Sequence, residues 1–356
     1  MTMPFADQIA AQVADAIATR ILPGAVVLAD HGGRLVHWAA YGTTMYADPG
    51  SRPLLRDDIF DLASLTKVVT ATAALVLCDG GALRLDDELV ALLPGVRATG
   101  IRVRHLLTHS SGLDLRLSAL KTAGAAGLRA AVWAAAPIHP PGTVVAYTNI
   151  NSLLLGEVIA QAASLPLATA LQTLVLQPLG MHETGFCPAT SLQPRIVPTE
   201  WDPSWRGGLV HGVVHDESAY ALGGVAGHAG LFGTATDLRC LLRLWLQGGT
   251  WAGRQILREE TVAEALRDQT VGLMGLVGAP QRGGLGWMLD RPYLMGAAPP
   301  GSFGHTGFTG SAIIGVPAHD LALVVLSNRT YPQRTPPPYR HHATTAAILG
   351  ALLETL

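Results

Sequence analysis

Five short segments of this chain have the composition of β-strands, and they lie near its two ends. Turns that contain glycine or proline separate neighbouring segments within each group, as in hairpins and meanders. Two early strands and three late ones imply one antiparallel sheet whose parts come from both chain ends. The predicted strands are 25–29, 35–40, 303–308, 311–316 and 321–327.

The long middle of the chain has apolar residues at helical spacing and frequent helix ends at glycine or proline. We therefore expect a fold of the α/β class, α+β in type, with a five-stranded antiparallel sheet flanked by helices and a mostly helical insertion. The predicted domain organisation is a single unit, 1–356, with a sheet subdomain of 1–60 and 286–356 and a helical subdomain of 61–285.

Composition excludes several classes of protein. Of the 356 residues 49% are hydrophobic and 14% charged, which is typical of a compact enzyme, and the net charge of −2 gives no basis for binding nucleic acid. No apolar run is long enough for a membrane span. The first residues lack a basic segment followed by an apolar one, so we expect a cytoplasmic protein, or a periplasmic or secreted one if a leader has been removed.

Ser64 and Lys67 form a Ser-x-x-Lys motif at the predicted start of a helix. Residues three apart on a helix share a face, so the hydroxyl and the amine can meet. The first N–H groups of a helix lack partners within it, and the helix dipole there favours negative charge. The motif therefore provides a nucleophile beside an amine, although Ser-x-x-Lys alone is a weak signal.

Two further motifs follow along the chain. Tyr147-x-Asn149 lies on a loop before a helix, and His305-Thr306-Gly307 lies near the end of a predicted strand. Each would be unremarkable by itself, as a turn or a strand end. Acyl transfer needs a nucleophile, a base and donors for the oxyanion, and the three motifs together provide these groups.

With these motifs in this order, the chain resembles the superfamily of serine β-lactamases and penicillin-binding proteins, specifically the class C-like branch with its DD-peptidases and esterases. The similarity extends beyond the motifs: residues 101–113 are similar to the family segment RHLLTHTSGL, and residues 304–310 to GHTG.TG. It covers most of residues 20–330. The resemblance implies a β-lactamase/transpeptidase-like fold and an acyl-enzyme mechanism without a cofactor or a metal.

The resemblance and the chemistry together suggest roles for the site residues. Ser64 is the expected nucleophile, and either Lys67 or Tyr147 the base. We expect the ammonium of Lys67 to pull the pKa of the Tyr147 phenol below its free value of about 10. Asn149 would position Lys67 or the substrate carbonyl. The backbone N–H groups of Ser64 and Phe308 would form the oxyanion hole.

The substrate is expected to contact Asn149 and the strand residues His305, Thr306, Gly307 and Phe308. His305 stands where many members of the family have lysine. An imidazole with a pKa of about 6.5 is largely neutral at pH 7 and holds a carboxylate less firmly than an ammonium does. We therefore expect weak recognition of β-lactams that carry a carboxylate, and more tolerance of esters or neutral amides.

The segment 186–230 is a long irregular excursion rich in proline, glycine, histidine and tryptophan, and loops of this length are usually functional. Its His-x-x-x-His at 211–215 allows a metal site, but helical spacing means little in a glycine-rich loop. Residues 214–217 and 222–228 resemble a subgroup that includes D-alanyl-D-alanine carboxypeptidases. The excursion is therefore expected to form a wall of the active-site cleft.

Three functions are compatible with this sequence. The first is a serine hydrolase that forms an acyl-enzyme on Ser64 with a β-lactam, an ester or a D-amino-acid peptide. The second is a penicillin-binding sensor that acylates slowly and does not turn over. The third is an acyltransferase. The expected partner is a small-molecule or peptide substrate, and the oligomeric state stays open.

Overall fold

Antiparallel strands from both chain ends form one central sheet in the computed structural model, which describes residues 4–46, 48–275 and 281–355. Within these ranges the sheet has six strands in the order β3-β4-β5-β6-β1-β2. The five predicted strands are all present, and the sixth, β3, is a two-residue edge strand that the sequence pattern does not reveal. The strands are β1 Gly24–His31, β2 Arg34–Gly42, β3 Met288–Leu289, β4 Phe303–Thr306, β5 Ala312–Val316 and β6 Leu321–Ser327.

The pairing of β1 with β6 joins the two ends of the chain. It runs antiparallel from Ala25 opposite Ser327 to His31 opposite Leu321. The hairpin between β1 and β2 turns at Gly32 and Gly33, whose φ angles of +58° and +79° favour glycine. The β-lactamase/transpeptidase-like sheet that the resemblance implies is thus assembled from distant segments.

Helices cover both faces of the sheet and fill the middle of the chain. Within the described ranges, those of eight residues or more are α1 Phe5–Ala18, α2 Thr66–Asp79, α3 Gly124–Ala134, α4 Asn149–Ala163, α5 Ala235–Leu246, α6 Glu259–Leu266 and α7 His341–Leu353. The shorter helical segments are Ala63–Leu65, Leu89–Leu92, Val103–Leu107, Leu117–Ala123, Leu167–Leu171, Gln172–Leu176, Gln177–Leu179, Thr190–Arg195, Glu217–Ala221, Pro292–Met295 and Pro317–His319. Short strands outside the sheet are Phe60–Asp61, Val144–Val145, Gly185–Phe186, Glu200–Asp202, Gly208–Val210, Leu231–Gly233, Thr250–Trp251, Arg254–Gln255 and Met274–Gly275.

Two apolar cores lie on opposite faces of the sheet, and alternate residues of β1 contribute to each. Val26 and Leu28 belong to the larger core, which includes residues of α2, α4 and α5, whereas Val27 belongs to the smaller core with α1 and α7. This alternation follows from the two-residue period of a strand. The larger core joins the predicted sheet and helical subdomains. The boundaries predicted between these subdomains stay a prediction.

Two observations bear on the predictions about membrane spans and a leader. No single helix in the described ranges is both long enough and apolar enough to span a membrane; α4 and the segment Leu167–Leu179 reach that length only as a pair bent by 79°. The first three residues, on which the expected lack of a leader partly rests, lie outside the described residues.

A buried ion pair fixes α5 to the hairpin of β1 and β2. Asp30 is fully buried, and its Oδ2 accepts a hydrogen bond of 2.6 Å from Nε of Arg239. Its Oδ1 lies 3.4 Å from Nη1 of Arg243, which is 2% exposed. A buried charge that loses its partner is costly, because neither water nor another group replaces it.

We expect Asp30→Ala to lower the free energy of unfolding by about 3 kcal/mol, since it leaves Arg243 buried with fewer partners. Urea denaturation followed by circular dichroism measures the loss. Asp86→Ala is the matched control, because Asp86 pairs with Arg104 at the surface and should cost less than about 1 kcal/mol. Equal losses in the two variants would contradict the structural role of Asp30.

Candidate active site

Ser64 lies in the helical turn Ala63–Leu65, which leads from the strand Phe60–Asp61 into α2. The buried carboxylate of Asp61 fixes this turn: its Oδ1 accepts a hydrogen bond from the Ala63 N–H at 2.8 Å, and its Oδ2 accepts one from the His215 N–H at 2.6 Å. Ala63 has a φ of +45°, which residues with a side chain rarely adopt. Such backbone strain persists only where its surroundings hold it, and Asp61 provides that support.

Lys67 contacts the Ser64 hydroxyl directly. Its Nζ donates to Ser64 Oγ at 2.7 Å and to the carbonyl oxygen of His228 at 3.0 Å. Lys67 is only 3% exposed. Burial lowers the pKa of Lys67 to about 7, although the charge of Asp216 raises it in part. A large fraction of this amine is therefore neutral at pH 7 and able to accept a proton.

Tyr147 lies just before α4, on the other side of Ser64. Its hydroxyl hydrogen-bonds to Ser64, and its ring centroid lies 5.1 Å from Nζ of Lys67. Although Tyr147 is 43% exposed to the open cavity, the protein packed around it desolvates the phenol and raises its pKa above the ordinary value; the Ser64 hydrogen bond lowers the pKa in part, and Asp216 raises it further. The phenol is therefore protonated at neutral pH and acts as a hydrogen-bond donor.

The end of β4 packs directly against the Ser64 turn. Thr309 Oγ1 donates to the carbonyl oxygen of Asp61 at 2.8 Å. At Gly307, an added Cβ would lie 2.7 Å from the carbonyl oxygen of Leu62. A residue larger than glycine at this position would have to displace one of the two segments. The third sequence motif thus lies beside the first because Gly307 allows a close approach.

A cavity of about 720 Å³ opens over these groups. Ser64, Tyr147 and residues 305–308 of the third motif form one side of it. Lys67, which contacts Ser64, and Asn149 are not among the residues that line it. Its remaining walls are formed by Leu107, Thr108, His109, Val145, Gln281, Gly283, Gly284, Gly286, Trp287, Met288, Arg291, Pro292, Tyr293, Arg329, Tyr339, His341 and His342.

The family model described as beta-lactamase matches residues 8–351, which is nearly the whole chain. The chain belongs to the beta-lactamase family. This family and its carboxypeptidase and esterase relatives identify the chain as a serine hydrolase with a β-lactamase/transpeptidase-like fold.

Relatives within and around this family have several activities in their names. A protein of Escherichia coli (strain K12), provisionally named a D-alanyl-D-alanine carboxypeptidase, is 29% identical over 341 residues, which cover 83% of this chain and 76% of that protein. The structure of EstCE1, described as a hydrolase with promiscuous acyltransferase activity, has a TM-score of 0.78 at 23% identity and covers 97% of this chain and 98% of its own. An octameric penicillin-binding protein homologue from Pyrococcus abyssi has a TM-score of 0.71 at 21% identity, with coverages of 97% and 77%.

The imidazole of His305 is neutral and hydrogen-bonds to the backbone. Burial lowers its pKa to about 3, and the nearby charge of Lys67 lowers it as well, so the imidazole is neutral as expected. Its Nδ1 lies 3.0 Å from the carbonyl oxygen of Thr306, which only accepts hydrogen bonds. Nδ1 therefore carries the proton and donates a hydrogen bond to the backbone, and Nε2 is left as an acceptor. The neutral imidazole agrees with the expected weak hold on a carboxylate, and the contact of His305 with the substrate stays a prediction.

Two other expectations concern the hydrogen bonds of Asn149 and the pKa of Tyr147. The Nδ2 of Asn149 donates to Asp216 Oδ2 at 3.3 Å, and the partners of Lys67 Nζ are Ser64 and His228 rather than Asn149, whose contact with the substrate stays a prediction. The prediction that Lys67 lowers the pKa of Tyr147 is also wrong, because burial of the phenol raises it. The first difference arises from Asp216, a residue far from these motifs in sequence, and the second arises chiefly from burial.

The expectation that the excursion 186–230 forms a wall of the cleft is wrong, because none of its described residues lines the cavity; it contacts Lys67 instead. Its residue His228 provides the carbonyl oxygen that accepts from Lys67, and the His228 Nε2 lies 3.1 Å from Asp216 Oδ1. Burial would raise the pKa of Asp216, but the His228 imidazole and hydrogen bonds from neighbouring groups hold it well below its ordinary value. Both residues lie in the ranges 214–217 and 222–228, whose pattern predicts no individual role for either.

A metal site in the excursion receives no support. His211 Nε2 contacts the carbonyl oxygen of Ile196 at 2.8 Å, whereas His215 Nε2 contacts Glu200 Oε2 at 2.9 Å. Across residues 4–46, 48–275 and 281–355, no group of three histidine, cysteine or acidic side chains is arranged to hold a metal ion.

We expect Gly307→Ala to lower kcat/KM for p-nitrophenyl butyrate by about 100-fold, since a displacement of about 1 Å at an active site has effects of this size. Gly185→Ala is the control, because an added Cβ there meets no atom within 4 Å. Both variants are assayed at matched concentration after their thermal unfolding has been compared. Full activity in Gly307→Ala would show that the approach to Leu62 is not required.

Proposed function

We propose that this enzyme hydrolyses esters and D-alanyl peptides through an acyl-enzyme on Ser64, with Lys67 as the general base. The observation that carries the proposal is the 2.7 Å contact between Lys67 Nζ and Ser64 Oγ, made by a buried amine whose pKa is about 7. In its neutral form the amine accepts the hydroxyl proton over this contact. The site therefore needs neither a histidine base nor a cofactor to activate Ser64.

The reaction follows from the positions of the donors. Ser64 Oγ attacks the substrate carbonyl while its proton passes to Lys67. Ser64 lies in the first turn of a helical segment, where N–H groups lack partners within the helix, and Phe308 lies two residues beyond the end of β4. Their N–H groups stabilise the oxyanion. The leaving group then takes a proton from the Tyr147 phenol, and the ammonium of Lys67 returns a proton to Tyr147. Water hydrolyses the acyl-enzyme by the reverse path.

The proposed substrate class rests on two observations. The E. coli relative covers most of this chain and is provisionally named a D-alanyl-D-alanine carboxypeptidase. The cavity walls include apolar side chains such as Leu107, Val145 and Trp287, which suit the acyl chain of an ester. Substrates that carry a carboxylate, β-lactams and D-alanyl-D-alanine peptides alike, are expected to acylate Ser64 less readily than esters, because the neutral His305 gives no cation to that carboxylate.

The acyl-enzyme is tested with p-nitrophenyl butyrate, a D-alanyl-D-alanine peptide and nitrocefin. We expect a burst of product with the ester and a loss of about 10⁴-fold or more in kcat for Ser64→Ala, by analogy with other serine hydrolases. Intact-protein mass spectrometry identifies the adduct on Ser64. No turnover and no adduct with any of the three probes would contradict the proposal.

The same experiment separates the two alternatives. A penicillin-binding sensor would retain its acyl mass for hours, because its acyl-enzyme does not react with water. An acyltransferase would pass the acyl group to an added alcohol or amine, and the ester or amide product would appear in place of the acid. A hydrolase loses the adduct to water within the turnover time.

The pH dependence of kcat/KM tests the role of Lys67. Since the neutral amine is the base, we expect kcat/KM for p-nitrophenyl butyrate to fall about tenfold per unit below a pH near the Lys67 pKa of about 7. Asp216 raises that pKa, so Asp216→Asn should move this acid limb to lower pH. Asp86→Ala, which removes an exposed carboxylate, should leave it unchanged. A limb that moves upward in Asp216→Asn would contradict the assignment of Lys67 as the base.

A further inference from the structure

His215 contacts both of the segments whose N–H groups face the oxyanion in the proposed reaction. Its backbone N–H donates to Asp61 Oδ2 at 2.6 Å, and the other oxygen of that carboxylate holds the turn of Ser64. Its imidazole stacks on the ring of Phe308, with the ring centroids 5.6 Å apart and 30° between the ring planes. His215 is 3% exposed and does not line the cavity. One buried residue thus links the two sides of the oxyanion site.

The carboxylate of Glu200 fixes the orientation of this imidazole. Glu200 is 6% exposed, and its Oε2 lies 2.9 Å from His215 Nε2. Burial would raise the pKa of Glu200, but hydrogen bonds from His215 and Arg334 hold it well below its ordinary value. An ionised carboxylate only accepts hydrogen bonds, so His215 Nε2 carries a hydrogen and is the donor. This directional contact determines which way the ring turns beside Phe308.

Arg334 in turn holds Glu200. Its Nε donates to Glu200 Oε1 at 2.9 Å and its Nη2 donates to Oε2, which is the bidentate geometry of a strong arginine–carboxylate pair. Arg334 lies in the connector between β6 and α7, whereas Glu200 and His215 belong to the excursion 186–230. A continuous series of contacts therefore runs from this connector through the excursion to Phe308.

Stability alone does not account for these contacts. A buried ion pair is weak evidence for stability, because both charges must leave water, and apolar residues of similar volume often replace such a pair without loss. An apolar ring at position 215 would also fill the space beside Phe308. It would lack the hydrogen bond to Glu200 that fixes the rotation of the ring. The arrangement is therefore better explained by the orientation that it imposes.

We propose that His215, oriented by Glu200, is a positioning residue that holds the N–H groups of Ser64 and Phe308 where the oxyanion forms. Such donors stabilise the transition state only when they are fixed in place before the reaction. This proposal rests on the proposed acyl-enzyme function and names the residues that set the geometry of its oxyanion site. It also gives the excursion a role, because its histidine supports the reacting groups from behind without contacting the substrate.

The first test removes the ring that supports Phe308. We expect His215→Ala to lower kcat for p-nitrophenyl butyrate by about 100-fold, the effect of a displacement of about 1 Å. KM should stay within about threefold, because the oxyanion contacts are made in the transition state. His215→Phe should recover about tenfold of the loss, since it restores the ring without the charge-assisted hydrogen bond. His211→Ala is the matched control, because His211 belongs to the same excursion and hydrogen-bonds only to the Ile196 carbonyl oxygen.

The second test measures the oxyanion site without turnover. Ser64 Oγ adds to the boron of propylboronic acid while its proton passes to Lys67, and the tetrahedral anion that forms places one boron hydroxyl in the oxyanion position. Calorimetry should show a dissociation constant that rises in His215→Ala by the same factor as kcat/KM falls, and that is unchanged in His211→Ala. If the wild-type enzyme hydrolysed no ester, the proposed function would fail separately, and the affinity for the boronate would still test the positioning of the donors.

A stability control separates positioning from folding. Asp30→Ala breaks a buried ion pair outside the site, so it should lower Tm and leave kcat/KM and the affinity for the boronate unchanged. If His215→Ala did not fold, Glu200→Gln would take its place. It preserves the shape of the side chain without its charge, and both quantities should fall about tenfold. The proposal is overturned by unchanged values in the folded variant, or by a fall in kcat/KM that leaves the boronate bound as tightly as in wild type.

Discussion

The pairing of β1 with β6 is the interaction on which the site depends. These strands come from opposite ends of the chain, and their pairing over seven residue positions forms the centre of the sheet. It orders the neighbouring strands, and β4 then presents Gly307 to the backbone of Leu62 beside Ser64. Contacts between residues so far apart in sequence form slowly, because a long loop must close first. The active site is therefore complete only after the sheet has formed.

Burial then determines the chemistry of the groups that meet at Ser64. It lowers the pKa of Lys67 to about 7 and that of His305 to about 3, and it raises that of Tyr147. The three shifts have one physical cause, the cost of a charge away from water. They leave an amine that can accept a proton, a phenol that can donate one, and an imidazole without charge. Asp216, held ionised by its own hydrogen bonds, limits how far the pKa of Lys67 falls.

Spacing along the chain predicted the five main strands and the contact between Ser64 and Lys67, because both depend on local periodicity. It did not predict β3, since two residues are too few for a pattern. The contacts of Asn149 and Asp216 were also not predictable. Each joins segments that lie far apart in sequence, and the pKa of Tyr147 depends on burial, which a motif does not encode.

The walls of the cavity and its reactive groups belong to different elements of the fold. Ser64 lies in the turn that leads into α2, and Lys67 lies in α2, a helix of the core. Of the wall residues, Tyr293 lies on the short helix Pro292–Met295, and Tyr339 precedes α7. Segments at the rim tolerate replacement and insertion better than core elements do. Natural variation can therefore change which molecules this enzyme accepts while the proton-transfer machinery is retained. Such separation accounts for the different activities that one architecture can acquire over evolutionary time.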